Sequence, residues 1–249
     1  MVVFTSHVAY RFLRPIYVYR KQQFKVSRII RENYNTVSVY IKGKDLKSFD
    51  IKAGQFMILR FLTKGVWWQA HPFSLSHLPE NNELRITPKE LGDFTAQIKN
   101  ISPGTKILIE GPYGTFTNMF GAYNKVLLIA GGIGITPIRT LMEEMLEKGK
   151  EVVLLYANKS KEDIVFKDEL EAVTEKYSAK ISYVLSEDAN FPAEKGYIDE
   201  EKIKQLVPDF MSRDVYLCGP PPMMDKLIQT FKSFGLKDSQ LHFEKFSLG

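Results

Sequence analysis

Lys125-Val126-Leu127-Leu128-Ile129-Ala130-Gly131-Gly132-Ile133-Gly134-Ile135-Thr136-Pro137 decides the fold of the second half of this chain. Lys125–Ala130 is an apolar run that reads as a buried strand. Gly131-Gly132-Ile133-Gly134 then forms a strand-to-helix turn, in which glycines let backbone approach a ligand closely. Thr136 suits a helix N-cap and Pro137 a first helical position, which predicts a helix from Pro137 to Lys148. Ile138, Leu141, Met145 and Leu146 give that helix its apolar face. Its N-terminus offers free amides and partial positive charge, suited to a pyrophosphate; the same loop also serves as a tight turn without a ligand. The third glycine of a Rossmann fingerprint would fall at Pro137, so the loop is not that motif.

Strand and helix alternate from here onward. Strands are expected at Glu151–Tyr156, Lys180–Leu185, Asp214–Cys218 and Gln240–Phe243. Helices are expected near Phe166–Tyr177, Glu200–Leu206 and Met223–Phe234. Such alternation means a parallel sheet with helices on both faces. Asp214–Cys218 runs into Gly219-Pro220-Pro221-Pro222, at the sheet edge where α/β proteins bind ligands. Cys218 there reads either as a buried structural thiol or as a cofactor contact. After Tyr156, the cluster Asn158-Lys159-Ser160-Lys161 lacks the acid that holds a ribose 2′-hydroxyl and suits a 2′-phosphate, hence NADPH; a solvated loop is the alternative.

Before Tyr123 the rhythm differs. Phe24–Ile30, Thr36–Ile41, Gln55–Phe61, Leu84–Thr87 and Lys106–Ile109 are short, β-branched and aromatic, with turn signals between them. They predict an antiparallel Greek-key β-barrel with one helix near Phe94–Lys99. The expected organisation is a basic leader (1–23), a barrel (24–120) and an α/β nucleotide-binding domain (124–249), divided near Phe120–Asn124. In the barrel, His71-Pro72-Phe73-Ser74 offers a planar aromatic beside a hydroxyl, able to stack on a flavin and bond its N5; alone it is an ordinary strand with a proline. Lys89-Glu90-Leu91-Gly92-Asp93-Phe94-Thr95 offers a second pyrophosphate cradle.

The 249 residues suit one large or two ordinary domains. With 44% hydrophobic and 25% charged residues, the chain is neither disordered nor fibrous. No apolar run approaches a membrane span of about 20 residues. The single cysteine excludes an intrachain disulfide and a four-cysteine metal centre, and His7, His71, His77 and His242 have no metal-ligand spacing. The net charge of +5 is unevenly placed. Seven basic residues up to Arg31 precede the first acid, Glu32; the remainder holds 27 basic and 29 acidic residues. That distribution argues against a nucleic-acid binder. It points instead to a leader, with Tyr10, Phe12, Tyr17 and Tyr19 interleaved, that faces anionic lipid.

Six motifs in this order resemble the ferredoxin–NADP reductase superfamily over about residues 24–246. They are His71-Pro72-Phe73-Ser74, Gly92-Asp93-Phe94-Thr95, Gly111-Pro112-Tyr113-Gly114, Gly131–Pro137, Cys218-Gly219-Pro220-Pro221 and the C-terminal aromatic Phe246. The superfamily's flavin motif usually reads Arg-x-Tyr-Ser/Thr; His71 and Phe73 in its place resemble the ferric reductase and NADPH oxidase branch. Arg11-Phe12-Leu13-Arg14-Pro15 resembles the link those proteins place after their last membrane helix. The resemblance implies the dehydrogenase region of a bacterial NADPH oxidase on the cytoplasmic face of the cell membrane, passing electrons to haem in a membrane domain outside this chain.

It also implies roles. Phe73 would lie against the flavin of FAD, Ser74 would bond N5, and His71, with Pro72, would approach the ribityl or phosphate region. Thr95, Gly92 and Lys89 would hold the FAD pyrophosphate. Gly131, Gly132, Gly134, Thr136 and Pro137 would hold the phosphates of NADPH, or of NADH, with Lys159 and Ser160 at the adenosine end. Cys218, with Gly219 and Pro220, would sit near nicotinamide C4, and Phe246 would cover the other flavin face. Two rival functions are a soluble flavin reductase serving a separate protein and a nucleotide-binding regulatory subunit without turnover.

Overall fold

The computed structural model describes residue 13 and residues 17–46, 49–188 and 191–245. Most of the leader and Phe246 lie outside these residues. The chain divides into two compact units between Thr115 and Phe116.

The first unit is a six-stranded antiparallel sheet: β1 (Lys25–Asn33), β2 (Thr36–Lys42), β3 (Phe56–Phe61), β4 (His71–Glu80), β5 (Glu83–Ile86) and β6 (Ile107–Tyr113). Its order is β1-β2-β5-β4-β3-β6. The two edges meet. The Val26 amide donates to the Thr105 carbonyl (2.9 Å) and the Ile107 amide to the Phe24 carbonyl (3.1 Å), which closes a barrel. Alternation follows the strand period: Val37, Val39 and Ile41 on β2, and Met57, Leu59 and Phe61 on β3, point inward and are buried. Helix α1 (Asp93–Ile98) packs Phe94 and Ile98 into this core.

The proline in β4 fits because of register. Pro72 lies opposite Ile58 of β3, while the Leu75 amide donates toward β3 at Gln55. The nitrogens of residues 72 and 74 therefore face away from β3, and β5 ends opposite Leu75, so no strand needs the missing Pro72 N–H. Asn81 and Asn82, both at positive φ, form the tight β4–β5 turn.

Three of the seven basic residues up to Arg31 belong to β1 rather than to the leader. Arg28 lies 2.6 Å from Glu83 and over the Tyr40 ring at 3.6 Å, and Arg31 donates to the Asn33 and Tyr34 carbonyls. The charge ascribed to the leader is therefore partly neutralised in the barrel.

The second unit holds β7 (Lys125–Gly131), α2 (Ile135–Glu147), β8 (Glu151–Asn158), α3 (Lys167–Tyr177), β9 (Lys180–Leu185), β10 (Glu194–Lys195), α4 (Glu200–Leu206), β11 (Asp214–Gly219), α5 (Pro221–Ser233) and β12 (Leu241–Lys245). The sheet is parallel, in the order β10-β9-β8-β7-β11-β12. Leu127, Ile129, Val215 and Leu217 meet Ile203 of α4 and Leu227 and Phe231 of α5. Helix α2 packs on β7, β8 and β11. Phe116 goes with this unit, its ring 5.7 Å from that of Tyr216.

Candidate functional site

Two loops leave the parallel sheet side by side. β7 and β11 are neighbours, with Cys218 in register with Ala130, and the strand order reverses direction between them. This is the crevice where open α/β sheets bind ligands. The glycine loop packs tightly on the strand end: a Cβ on Gly134 would lie 2.3 Å from the Cys218 carbonyl oxygen. Gly131 and Gly219 are likewise hemmed in by Met223. Gly132 differs, with φ of +51° and nothing within 4 Å of the Cβ position. Of Gly131, Gly132, Gly134 and Gly219, it is the one that faces open space.

Thr136 is not the N-cap. The glycines let the chain coil at once into a 3-10 turn, Gly132–Gly134, that leads straight into α2. Thr136 becomes the second residue of α2, almost fully buried, and its hydroxyl donates to the Ile133 carbonyl (3.0 Å). Pro137 is the third residue rather than the first. The N-terminal amides still open beside Gly132, which fits a nucleotide pyrophosphate.

Cys218 is fully buried, and burial raises its pKa, with the Glu244 carboxylate adding to the effect. It stays a neutral thiol. Glu244 on β12 is in register with Cys218, and burial raises its carboxyl pKa as well. Sequence reasoning passed over Glu244. The available signal was its place two residues before Phe246 in a strand beside Cys218. A raised pKa means that the folded state favours the protonated acid. Its stabilising share is full below the ordinary carboxylate range and is lost as pH rises through the folded-state value. Glu244→Gln is therefore expected to gain stability over the wild type as pH rises from about 4 to 7, read from urea midpoints at each pH. Parallel curves would show that Glu244 is not shifted.

Farther along the same edge, Lys159 Nζ lies 3.7 Å from Glu187, with both side chains exposed, and Ser160 Oγ donates to Asp163 (3.4 Å). Lys159 and Ser160, expected at the adenosine end, thus each have an acid beside them.

In the barrel, two distant motifs meet. The His71 ring stacks on Phe94 at the start of α1, with centroids 3.9 Å apart, and Phe73 lies 6.3 Å from the same ring. Phe94 is the organising residue that sequence reasoning left unassigned within Gly-Asp-Phe-Thr. Burial lowers the His71 pKa, which favours the neutral ring, and Nε2 lies 3.2 Å from Gln69 Oε1. Ser74 falls on the opposite face of β4. It is 8% exposed, and its hydroxyl makes no hydrogen bond among the described residues. Ser76, two residues on, is committed to Thr87 and Arg85. An almost buried, uncommitted hydroxyl fits a flavin edge.

Thr95 is occupied differently from the expectation. Its Oγ1 accepts from the Leu91 and Gly92 amides (2.9 and 3.1 Å) and donates to the Gly92 carbonyl (3.0 Å). It shapes the loop, which leaves the next amides, of Asp93 and Phe94, as the open ones. Lys89 bridges to Thr36 beside this loop.

A FAD-binding domain matches residues 21–117 and an oxidoreductase NAD-binding domain matches residues 128–229. The chain is thus an oxidoreductase with FAD- and NAD(P)-binding domains. It is 31% identical over 212 residues to the probable dihydroorotate dehydrogenase B (NAD(+)), electron transfer subunit, of Methanocaldococcus jannaschii, covering 85% of this chain and 74% of that one. It is 31% identical over 217 residues to a flavohemoprotein of Candida albicans, covering 82% of this chain and 54% of that protein. The chain belongs to the ferredoxin–NADP reductase superfamily. The fold matches the flavohem-like FAD/NAD-binding domain of a Vibrio cholerae nitric oxide dioxygenase, with a TM-score of 0.79 at 21% identity over 90% of this chain and 97% of that one. The chain spans only part of the length of curated relatives it matches, 54% of the Candida albicans flavohemoprotein among them.

Proposed function

We propose that this chain takes a hydride from NADPH or NADH onto FAD and passes single electrons onward. In the whole protein the proposed route runs to membrane haem and then to oxygen, giving superoxide, or to ferric iron. The observation that carries the reading is the meeting of the Gly131–Gly134 loop with Cys218 at the crevice between β7 and β11, in a chain whose other unit is a flavin-type barrel. When bound, FAD supplies the change from two-electron to one-electron chemistry. The chain's own groups position and seal. Phe73 lies against the ring system, His71 approaches the ribityl or phosphate region, and Ser74 donates to N5. Gly92 and Lys89 hold the FAD pyrophosphate in the loop that Thr95 shapes. Gly132 and the α2 amides hold the nucleotide phosphates. Cys218, with Gly219 and Pro220, lines the nicotinamide pocket as a neutral thiol, and Glu244 is the nearby proton-bearing group. Phe246, outside the described residues, is kept as the cover of the other flavin face.

The assignment to the ferric reductase and NADPH oxidase branch rests on His71-Pro72-Phe73-Ser74 and on the leader, proposed to lie on anionic lipid at the cytoplasmic face. No helix among the described residues is long and apolar enough to cross a membrane. A second reading is a reductase serving a separate protein; the M. jannaschii relative carries the name of an electron transfer subunit.

Anaerobic addition of NADPH or NADH to the FAD-loaded chain tests the hydride step. Loss of the flavin band near about 450 nm is expected, and its persistence with both nucleotides sinks the proposal. NADPH is the proposed donor, yet a 2′-phosphate must draw Lys159 from Glu187. Glu187→Gln is therefore expected to raise the NADPH-over-NADH ratio of kcat/KM by up to about fivefold. An unchanged ratio would remove Lys159 from the adenosine end.

A further inference from the structure

The loop between β3 and β4 carries the chain's only two tryptophans, Trp67 and Trp68, side by side. They are 59% and 62% exposed, and Leu62 at the head of the loop is exposed as well. The loop is pegged between them: Val66 is buried in the barrel core, and the Gln69 amide closes a turn onto its carbonyl (2.9 Å). The turn therefore holds both indoles out of the core.

The same loop and its foot carry basic residues outside any ion pair among the described residues. Lys64 is in the loop. Lys106 accepts the Leu62 amide through its carbonyl (2.8 Å), and Arg60 pairs across to Leu108. Leu59 and Phe61 on β3, and Ile107 and Ile109 on β6, point inward, so Arg60, Leu62 and Lys106 share the outer face. None of these three cations forms an ion pair among the described residues, whereas Lys99 and Arg28 of the same unit are paired with Glu90 and Glu83. Glu110, the acid on this strand pair, shares the outer face beyond Arg60, opposite Ile58 and farther from the loop, and forms no ion pair among the described residues.

Exposed indoles on a loop with unpaired cations at its foot match the chemistry of a membrane interface. Indoles settle at headgroup level, and basic side chains meet anionic lipid there. We propose that this face, Leu62 to Trp68 with Arg60 and Lys106, seats on the surface of an anionic phospholipid bilayer. The contact is separate from the leader and does not depend on the flavin chemistry or on the final acceptor.

The test uses the full FAD-loaded chain. Because no other tryptophan exists, the protein's tryptophan emission reports on this loop alone. Vesicles of phosphatidylcholine with phosphatidylglycerol are expected to shift the emission to the blue, and brominated lipids to quench it; phosphatidylcholine alone is expected to do neither. Lys64→Gln and Lys106→Gln are each expected to weaken vesicle binding about fivefold at low salt. The double variant Trp67→Ser/Trp68→Ser is expected to weaken it at least tenfold while leaving flavin reduction by the nicotinamide nucleotide unchanged. Sedimentation with vesicles but unchanged emission would assign the contact to the leader and overturn the proposal. Equal shifts with neutral vesicles, or a shift seen only on adding an acceptor protein, would overturn it as well.

Discussion

Gly134→Ala is expected to cost the second unit about 3 kcal/mol or more, lowering its melting temperature by roughly 10 °C. The cause is not backbone conformation, because Gly134 has ordinary right-handed dihedrals, φ −58°. The added Cβ would stand 2.3 Å from the carbonyl oxygen of Cys218, on a strand flanked by β7 and β12. Neither the loop nor β11 can yield without breaking the parallel ladder. Gly132→Ala provides the comparison. Its φ of +51° costs a side chain about 1 kcal/mol, but the space beyond it is empty. That variant is expected to fold and to bind nicotinamide nucleotide more weakly. Thermal unfolding of the two variants checks the contrast; equal stability losses would refute the close approach.

Ser74→Ala is expected to slow flavin reduction by about 10²-fold while FAD stays bound. Ser74 is nearly buried and its hydroxyl is uncommitted, so removing it breaks no hydrogen bond of the barrel. The loss should fall on the chemical step and leave thermal stability within about 0.5 kcal/mol. Stopped-flow reduction under anaerobic conditions, beside a melting curve, separates the two. A large stability loss with a normal rate constant would make Ser74 structural.

The parallel half was readable because its strands are continuous apolar runs between turn signals. Lys180–Leu185 and Glu200–Leu206 have the expected bounds, the other expected strands and helices of that half shift by only a few residues, and the two-residue β10 was not expected. The barrel strands were legible as short β-branched and aromatic runs between turn signals, although β6 runs on through Gly111 and Pro112, past the expected end at Ile109. What stayed hidden is non-local. The need for glycine at 134 and the pairing of Glu244 with Cys218 depend on strands meeting across the sheet, which no local pattern encodes. Thr95 was recognised as a hydroxyl at a helix start, but its oxygen closes on its own loop. Arg28 looked like leader charge because its partner, Glu83, stands on a strand far along the chain.

The seam that closes the barrel sets an order of assembly. Val26 is joined to Thr105, so the first strand finds its last neighbour only after nearly the whole flavin unit has been made. In the second unit, β7 and β8 pair across a single helix. Long-range closure carries the larger loop entropy and is slow. Amides of β7 and β8 are expected to become protected in pulsed hydrogen exchange before those of Val26 and Ile107; the reverse order would place the nucleus in the barrel. Although it is translated first, the flavin unit is then the later to close, and β1 stays an open edge while the nucleotide unit takes shape behind it.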